Sequence, residues 1–177
     1  DAVAEARYFV SVTGTALAGQ LPPALDIEAN DGLSPTALVA WAKAFLAEVE
    51  RLTGRVPVIY TGPAFWRSAM GDSREFHRHP LWIAQYTTGG PSIPGGWPAY
   101  TFWQNTSSFR VAGITGNVDH NIFKGTPAQL QALEGDAERI LREADAAERV
   151  DLAARVALHL PPSEARDALA ESIGSAA

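Results

Sequence analysis

Apolar and polar positions divide the chain into alternating helical and extended stretches. Residues 2–13 carry Val3, Ala6 and Val10, with neighbouring Tyr8 and Phe9, near helical spacing, which predicts an amphipathic helix. Gly14–Gln20 reads as a loop, and Pro22-Pro23 bars any further helix. Ala24–Glu28 follows as a short strand, ended by the turn signal Asn30-Asp31-Gly32. Ser34-Pro35 has the chemistry of an N-cap and a first helical position. The stripe Leu38, Trp41, Phe45, Leu46, Val49 and Leu52 then runs to Gly54, a natural C-terminal stop. Val56-Pro57-Val58-Ile59-Tyr60 is a β-branched run ending at Thr61-Gly62, with a short helix around Pro63–Met70 behind it. Leu81–Tyr86 and Tyr100–Gln104 predict two more strands, separated by a Gly/Pro-rich loop from Thr87 to Pro98, and Asn117–Asn121 a last short one.

Strand, long helix, strand, short helix, strand is the rhythm of an α/β protein. From Thr126 onward the composition turns to Ala, Glu, Arg and Leu with helical periodicity, and Pro161-Pro162 divides that tail into two stretches. The pattern therefore predicts an α/β region over residues 1–125 and a helical tail or linker over residues 126–177. No internal repeat stands out.

Composition narrows the functions. The 177 residues carry a net charge of −6 with no basic cluster, so nothing matches the electrostatic footprint of a nucleic-acid or anionic-membrane partner. Cysteine is absent, which excludes disulfides, a thiolate nucleophile and a thiolate metal site. No apolar run reaches the roughly 18 residues of a membrane span. The first residues, Asp-Ala-Val-Ala-Glu-Ala-Arg, lack the charged-then-apolar pattern of a secretory signal, and what precedes Asp1 is left open.

The segment Leu25-Asp26-Ile27-Glu28 draws attention because alternate strand residues share a face, with α-carbons roughly 6.5–7 Å apart. Buried parallel strands are apolar on both faces, so two acids on one face need a reason. Catalysis is one: paired acids push one proton affinity upward and furnish a donor near neutral pH. Glycoside cleavage uses such a donor together with a second carboxylate. Cation binding through oxygen ligands and a solvent-exposed strand end are the alternatives.

Five segments widen the context. Leu21-Pro22-Pro23-Ala24-Leu25-Asp26-Ile27-Glu28, Val58-Ile59-Tyr60-Thr61-Gly62 with Phe65-Trp66, Leu81-Trp82-Ile83-Ala84-Gln85-Tyr86, Phe102-Trp103-Gln104 and Val118-Asp119-His120-Asn121-Ile122-Phe123 occur in that order. Together they resemble glycoside hydrolase family 25, the Chalaropsis-type lysozymes, over residues 21–123. The resemblance implies the C-terminal portion of a TIM-like (β/α) barrel lacking its N-terminal strands. It also implies hydrolysis of the β-1,4 bond between N-acetylmuramic acid and N-acetylglucosamine, without metal or cofactor. By position Glu28 is then the general acid, Asp26 the neighbouring carboxylate that orients or stabilises the sugar, and Asp119 a further site carboxylate. The partner it implies is the bacterial peptidoglycan glycan strand, reached by a secreted or phage-type lysin. The family's first strand, with an Asp-Val-Ser-like motif and its own active-site Asp, has no counterpart here. A missing N-terminal barrel half, and poor activity of these residues alone, are therefore expected. A non-catalytic wall-binding remnant and a metal-dependent hydrolase using the same carboxylates are the competing functions.

Tyr60, Trp82, Trp97 and Trp103 sit at predicted strand ends or in the loops that follow, where aromatic faces can stack on sugar; core packing is the alternative for each. Gln85 and Gln104 are candidate hydrogen-bonding partners of substrate, or members of a buried network. Trp41 and Trp66 lie on helices and are expected in the core. His77 and His79 fall in the polar segment Gly71–Pro80 and read as part of a solvated loop. Asp119-His120 makes no dyad, because neighbours on a strand face opposite ways.

Overall fold

The computed structural model describes residues 1–15 and 20–134. Its elements are α1 (Ala2–Thr13), β1 (Ala24–Asp26), α2 (Pro35–Thr53), β2 (Val58–Thr61), α3 (Pro63–Ala69), β3 (Leu81–Ala84), β4 (Phe102–Phe109), β5 (Val118–Phe123) and α4 (Pro127–Glu134). The chain divides into two compact units, residues 1–14 with 23–126 and residues 15–22 with 127–177. All five strands and α1–α3 belong to the first. Of the helical tail, α4 is described; Pro161-Pro162 and the stretch to Ile173 lie outside the described residues. Among the described residues no helix is long and apolar enough to cross a membrane.

Local chemistry explains the helix limits. The Asp1 carboxylate accepts from the amides of Val3 and Ala4 and starts α1. Ser34 accepts from Ala37 N at 3.3 Å with Pro35 at the first helical position, and Gly54, at φ 65°, ends α2 in the left-handed region that a side chain resists. The two helices pack through Phe9 and Phe45, whose ring centres are 6.2 Å apart. They are also clamped by Glu48, which is buried and accepts from Arg7 Nε at 2.7 Å and Arg51 Nε at 2.8 Å.

The five strands form one sheet in sequence order, parallel from β1 to β4 and antiparallel between β4 and β5. β1 and β5 are its edges. On one face Leu25, Ile59 and Leu81 pair across three strands, and Thr61, Ile83, Trp103 and Ile122 across four. This face meets Ala6 of α1, Leu38, Leu46 and Val49 of α2 and Trp66 of α3 to make the core. Helices cover that face, and the other carries the acids.

Several boundaries differ from the sequence expectation: β3 ends at Ala84 rather than Tyr86, β5 runs to Phe123 rather than Asn121, and two more differences bear on the site. β1 stops at Asp26, although Ile27 N still donates to Tyr60 O at 3.0 Å, so Glu28 lies just past the strand. β4 runs on to Phe109, well past Gln104, because β5 pairs with it as far as Phe109↔Val118 through two register shifts. A hairpin partner holds the polar run Asn105–Ser108 extended where its own residues give no strand signal.

Candidate active site

Register builds the site. Asp26 pairs with Tyr60, Tyr60 with Trp82, Trp82 with Phe102 and Phe102 with Phe123, so one row across all five strands starts with an acid and continues with four aromatic rings. The rings touch in sequence, Tyr60 to Trp82 at 5.1 Å, Trp82 to Phe102 at 6.0 Å and Phe102 to Phe123 at 5.2 Å between centres. All four are half-buried, and Asp26 is exposed.

The row above it, toward the C-terminal ends of the parallel strands, holds Ala84, Gln104 and Asn121. Glu28 rises in the same direction two residues beyond Asp26. β5 runs the other way, so stepping back from Phe123 through Asn121 to Asp119 climbs likewise. Two hydrogen bonds skip a strand on this face: Tyr60 Oη donates to Gln104 Oε1 at 3.0 Å, and Trp82 Nε1 to Asn121 Oδ1 at 2.8 Å. Second-neighbour strands in a flat sheet are about 9.5 Å apart, so side chains that bridge them draw the face inward.

Ile27, between the two acids, is held at both ends. Its amide donates to Tyr60 O, and its carbonyl accepts from the fully buried Thr61 Oγ1 at 2.9 Å. The acidic segment is thereby fixed where the strand has formally ended.

Although Asp26 as a residue is exposed, partial desolvation of its carboxyl on this face pushes it up from its ordinary value. Glu28 is pushed up by burial first and then by the negative charge of Asp26. The negative charge of Asp26 opposes loss of the Glu28 proton. Tyr60 is pushed up to about 12 by burial and by the charges of Glu28, Tyr86, Asp26 and Asp119. Asp119 therefore lies within electrostatic reach of the same phenol as the acid pair.

Several predicted site residues stand elsewhere. Trp103 is 8% exposed, on the helix-covered face, with Nε1 donating to Gln85 O at 2.8 Å. Trp97 is 7% exposed, edge-on to Trp66 at 4.7 Å, with Nε1 donating to His79 O at 2.8 Å. Both are core residues, and the expected sugar contact at each is corrected. Gln85 shares the helix-side parity of Leu81 and Ile83, and its Oε1 accepts from Ser92 N at 2.7 Å, pinning the Gly/Pro-rich loop rather than facing the acids. Tyr60, Trp82 and Gln104 lie on the acidic face. His77 is exposed, whereas His79 is buried against Pro57 O at 3.0 Å, so the solvated-loop expectation fails for it. Trp66 is fully buried, and Trp41 is half-buried and stacks on Phe45 at 5.3 Å. His120 turns away from Asp119 to Asn105 Oδ1 at 2.9 Å.

Sequence reasoning missed Tyr86, 58% exposed, whose hydroxyl donates to Gln104 Oε1 at 2.9 Å, and Asn121, the anchor of the Trp82 indole. The signal was alternation: Tyr86 continues the parity of Trp82 and Ala84, and Asn121 that of Asp119. Among the described residues no group of three or more His, Asp or Glu gathers as for a metal ion.

Among the described residues, the sheet face that α1–α3 leave open thus combines paired acids with a file of aromatic rings, the two ingredients that glycoside cleavage uses. A family model described as glycosyl hydrolases family 25 matches residues 1–114, and the chain belongs to that family. Asp119 lies beyond the matched residues. The chain is 40% identical over 118 residues to an N,O-diacetylmuramidase of Arthroderma benhamiae, covering 63% of this chain and 48% of that protein. It is 37% identical over 139 residues to Lysozyme M1 of Streptomyces globisporus, covering 73% and 47% respectively. The crystal structure of the bacterial lysozyme from Streptomyces coelicolor superposes with a TM-score of 0.74 at 35% identity, over 77% of this chain and 67% of that one. The chain thus spans about half the length of these two curated relatives.

Proposed function

We propose that this chain is the C-terminal part of a muramidase that hydrolyses the β-1,4 bond between N-acetylmuramic acid and N-acetylglucosamine in bacterial peptidoglycan. The observation that carries the reading is the placement of Asp26 and Glu28 on the one sheet face lined by aromatic rings, with the charge of Asp26 opposing ionisation of Glu28. Glu28 serves as general acid, protonating the leaving glycosidic oxygen. Asp26, ionised beside it, steadies positive charge developing at the sugar, and Asp119 contributes further negative charge. Tyr60 and Trp82 offer apolar ring surface to the C–H faces of the sugar. The enzyme acts at the cell wall, as a secreted or phage-type lysin.

The family's fold supports a second element of the proposal: further strands pair with the free edge of β1 and complete a (β/α) barrel around this face. The strand-skipping bonds from Tyr60 and Trp82 are consistent with such curvature. Residues 1–177 alone are then weakly active, because the glycan would meet an open site in which water weakens every charge interaction. Release of muropeptide reducing ends by the full-length protein, with Glu28→Gln beside it, tests the assignment. Cleavage by the variant at the wild-type rate rules Glu28 out as the acid. Wall clearing by residues 1–177 at full rate would refute the need for further strands.

A further inference from the structure

Gln104 is 5% exposed, and its amide oxygen receives two phenols, Tyr60 Oη at 3.0 Å and Tyr86 Oη at 2.9 Å. An amide oxygen has two lone pairs, and here both are engaged. The contact ties β2, β4 and the residue two places past β3 at one atom. The titratable groups whose charges bear on Tyr60 are Asp26, its partner in strand register, Glu28 two residues on, Tyr86, and Asp119 from β5, three carboxylates and one phenol. A phenol beside carboxylates ordinarily donates to one of them, and such a bond favours the charged carboxylate. A phenol has a single proton to give, and Tyr60 gives it to Gln104.

We propose that Gln104 is a positioning residue: by holding the hydroxyl protons of Tyr60 and Tyr86 on one oxygen, it keeps Tyr60 from donating to Asp26 or Glu28. Among the described residues Glu28 is thereby left without a hydrogen-bond donor that would stabilise its charged form, which suits a general acid. Buried behind two tyrosines, Gln104 does not itself contact the glycan. The inference rests on Glu28 as the acid, so its test has one arm that needs no turnover.

The variant is Gln104→Met, close in length and without a carbonyl oxygen. The first arm is carbon-13 NMR titration of the 177-residue chain, with the Tyr60 ring assigned through Tyr60→Phe. In Gln104→Met, Tyr60 stays at least as hard to ionise as in the wild type, because its released hydroxyl exchanges an amide acceptor for an anionic one that favours the protonated phenol more strongly. The Glu28 acid constant rises ~10-fold as the released hydroxyl turns to the carboxylates. A downward shift of Tyr60, or an unmoved Glu28, overturns the proposal.

The second arm is the pH profile of peptidoglycan turnover by the full-length protein. The basic limb moves to lower pH by the same ~10-fold in proton concentration, with KM unchanged, and Tyr60→Phe added to Gln104→Met moves it back, since Phe has no proton to misdirect. A basic limb that stays displaced in the double variant overturns the proposal. Absence of turnover by the wild type removes the muramidase reading but leaves the titration arm decisive. If Gln104→Met does not fold, the wild type still answers. Scalar coupling of the Tyr60 hydroxyl proton to the Gln104 carbonyl carbon supports the assignment, and coupling to a carboxyl carbon of Asp26 or Glu28 refutes it.

Discussion

Thr61→Val isolates the anchor beneath the acids. The Thr61 hydroxyl is 0% exposed and donates to the carbonyl of Ile27, the residue between Asp26 and Glu28. Valine fills the same volume but offers no donor, so the Ile27 carbonyl keeps its buried surroundings and loses its partner. An unsatisfied buried acceptor costs about 1–3 kcal/mol, and that loss is expected in urea denaturation at constant m-value. Glu28 is one peptide away, and a misplacement of about 1 Å at a reacting group costs on the order of 10²-fold in rate. Thr61→Ser is the control: it keeps the hydroxyl, gives up one methyl for about 1 kcal/mol, and is expected to retain near-wild-type turnover by the full-length protein. The reasoning fails if Thr61→Val stays within about 0.5 kcal/mol of wild type, or if Thr61→Ser loses as much turnover as Thr61→Val.

Three further outcomes are expected. The Asp26 carboxyl is raised in the folded chain, so its favourable contribution holds below its ordinary value of 3.8 and is lost as pH rises. Asp26→Asn should therefore raise the thermal midpoint near neutral pH while impairing activity, with the stability gain fading in acid; an equal gain at all pH values would contradict this. Glu48 is held down to about 2 from 4.5, first by the hydrogen bonds of Arg51 and Arg7, so its contribution is complete above 4.5 and lost as pH falls toward 2. Glu48→Gln should melt below wild type at neutral pH and converge with it in acid, as followed by circular dichroism. Gly95→Ala places a methyl 2.4 Å from Trp66 Nε1 and 2.8 Å from Ser73 O at φ +62°, and a loss of about 2–4 kcal/mol in chemical denaturation is expected; a loss below 1 kcal/mol would show that the loop yields.

Helix α2 was legible from its ends, because Ser34, Pro35 and Gly54 act through local backbone chemistry that needs no tertiary partner. The acid pair was legible for a similar reason: alternation alone puts residues 26 and 28 on one side. The tryptophans were not. Trp82 and Trp103 look alike in sequence, yet the register Trp82↔Phe102 sets one on the open face and its apparent counterpart in the core. An aromatic residue at a strand end carries no mark of which side is covered, and only pairing to the next strand decides it. The far half of β4 was hidden because Asn105–Ser108 is extended by β5 rather than by its own preference. Tyr86 and Asn121 were within reach, since each continues a parity already recognised.

The first strand in the sheet order has a further consequence for behaviour in solution. Among the described residues nothing pairs with the outer edge of β1, so in residues 1–177 alone it is the kind of template on which identical chains stack. Asp26 and Glu28 stand along that margin. Two copies joined there would crowd four carboxylates into a site already hard to ionise twice, and the resulting repulsion opposes fibre growth. In residues 1–177 alone, the two acids proposed for bond cleavage are thus expected to oppose self-association as well, and replacing both with amides would remove that repulsion together with the chemistry.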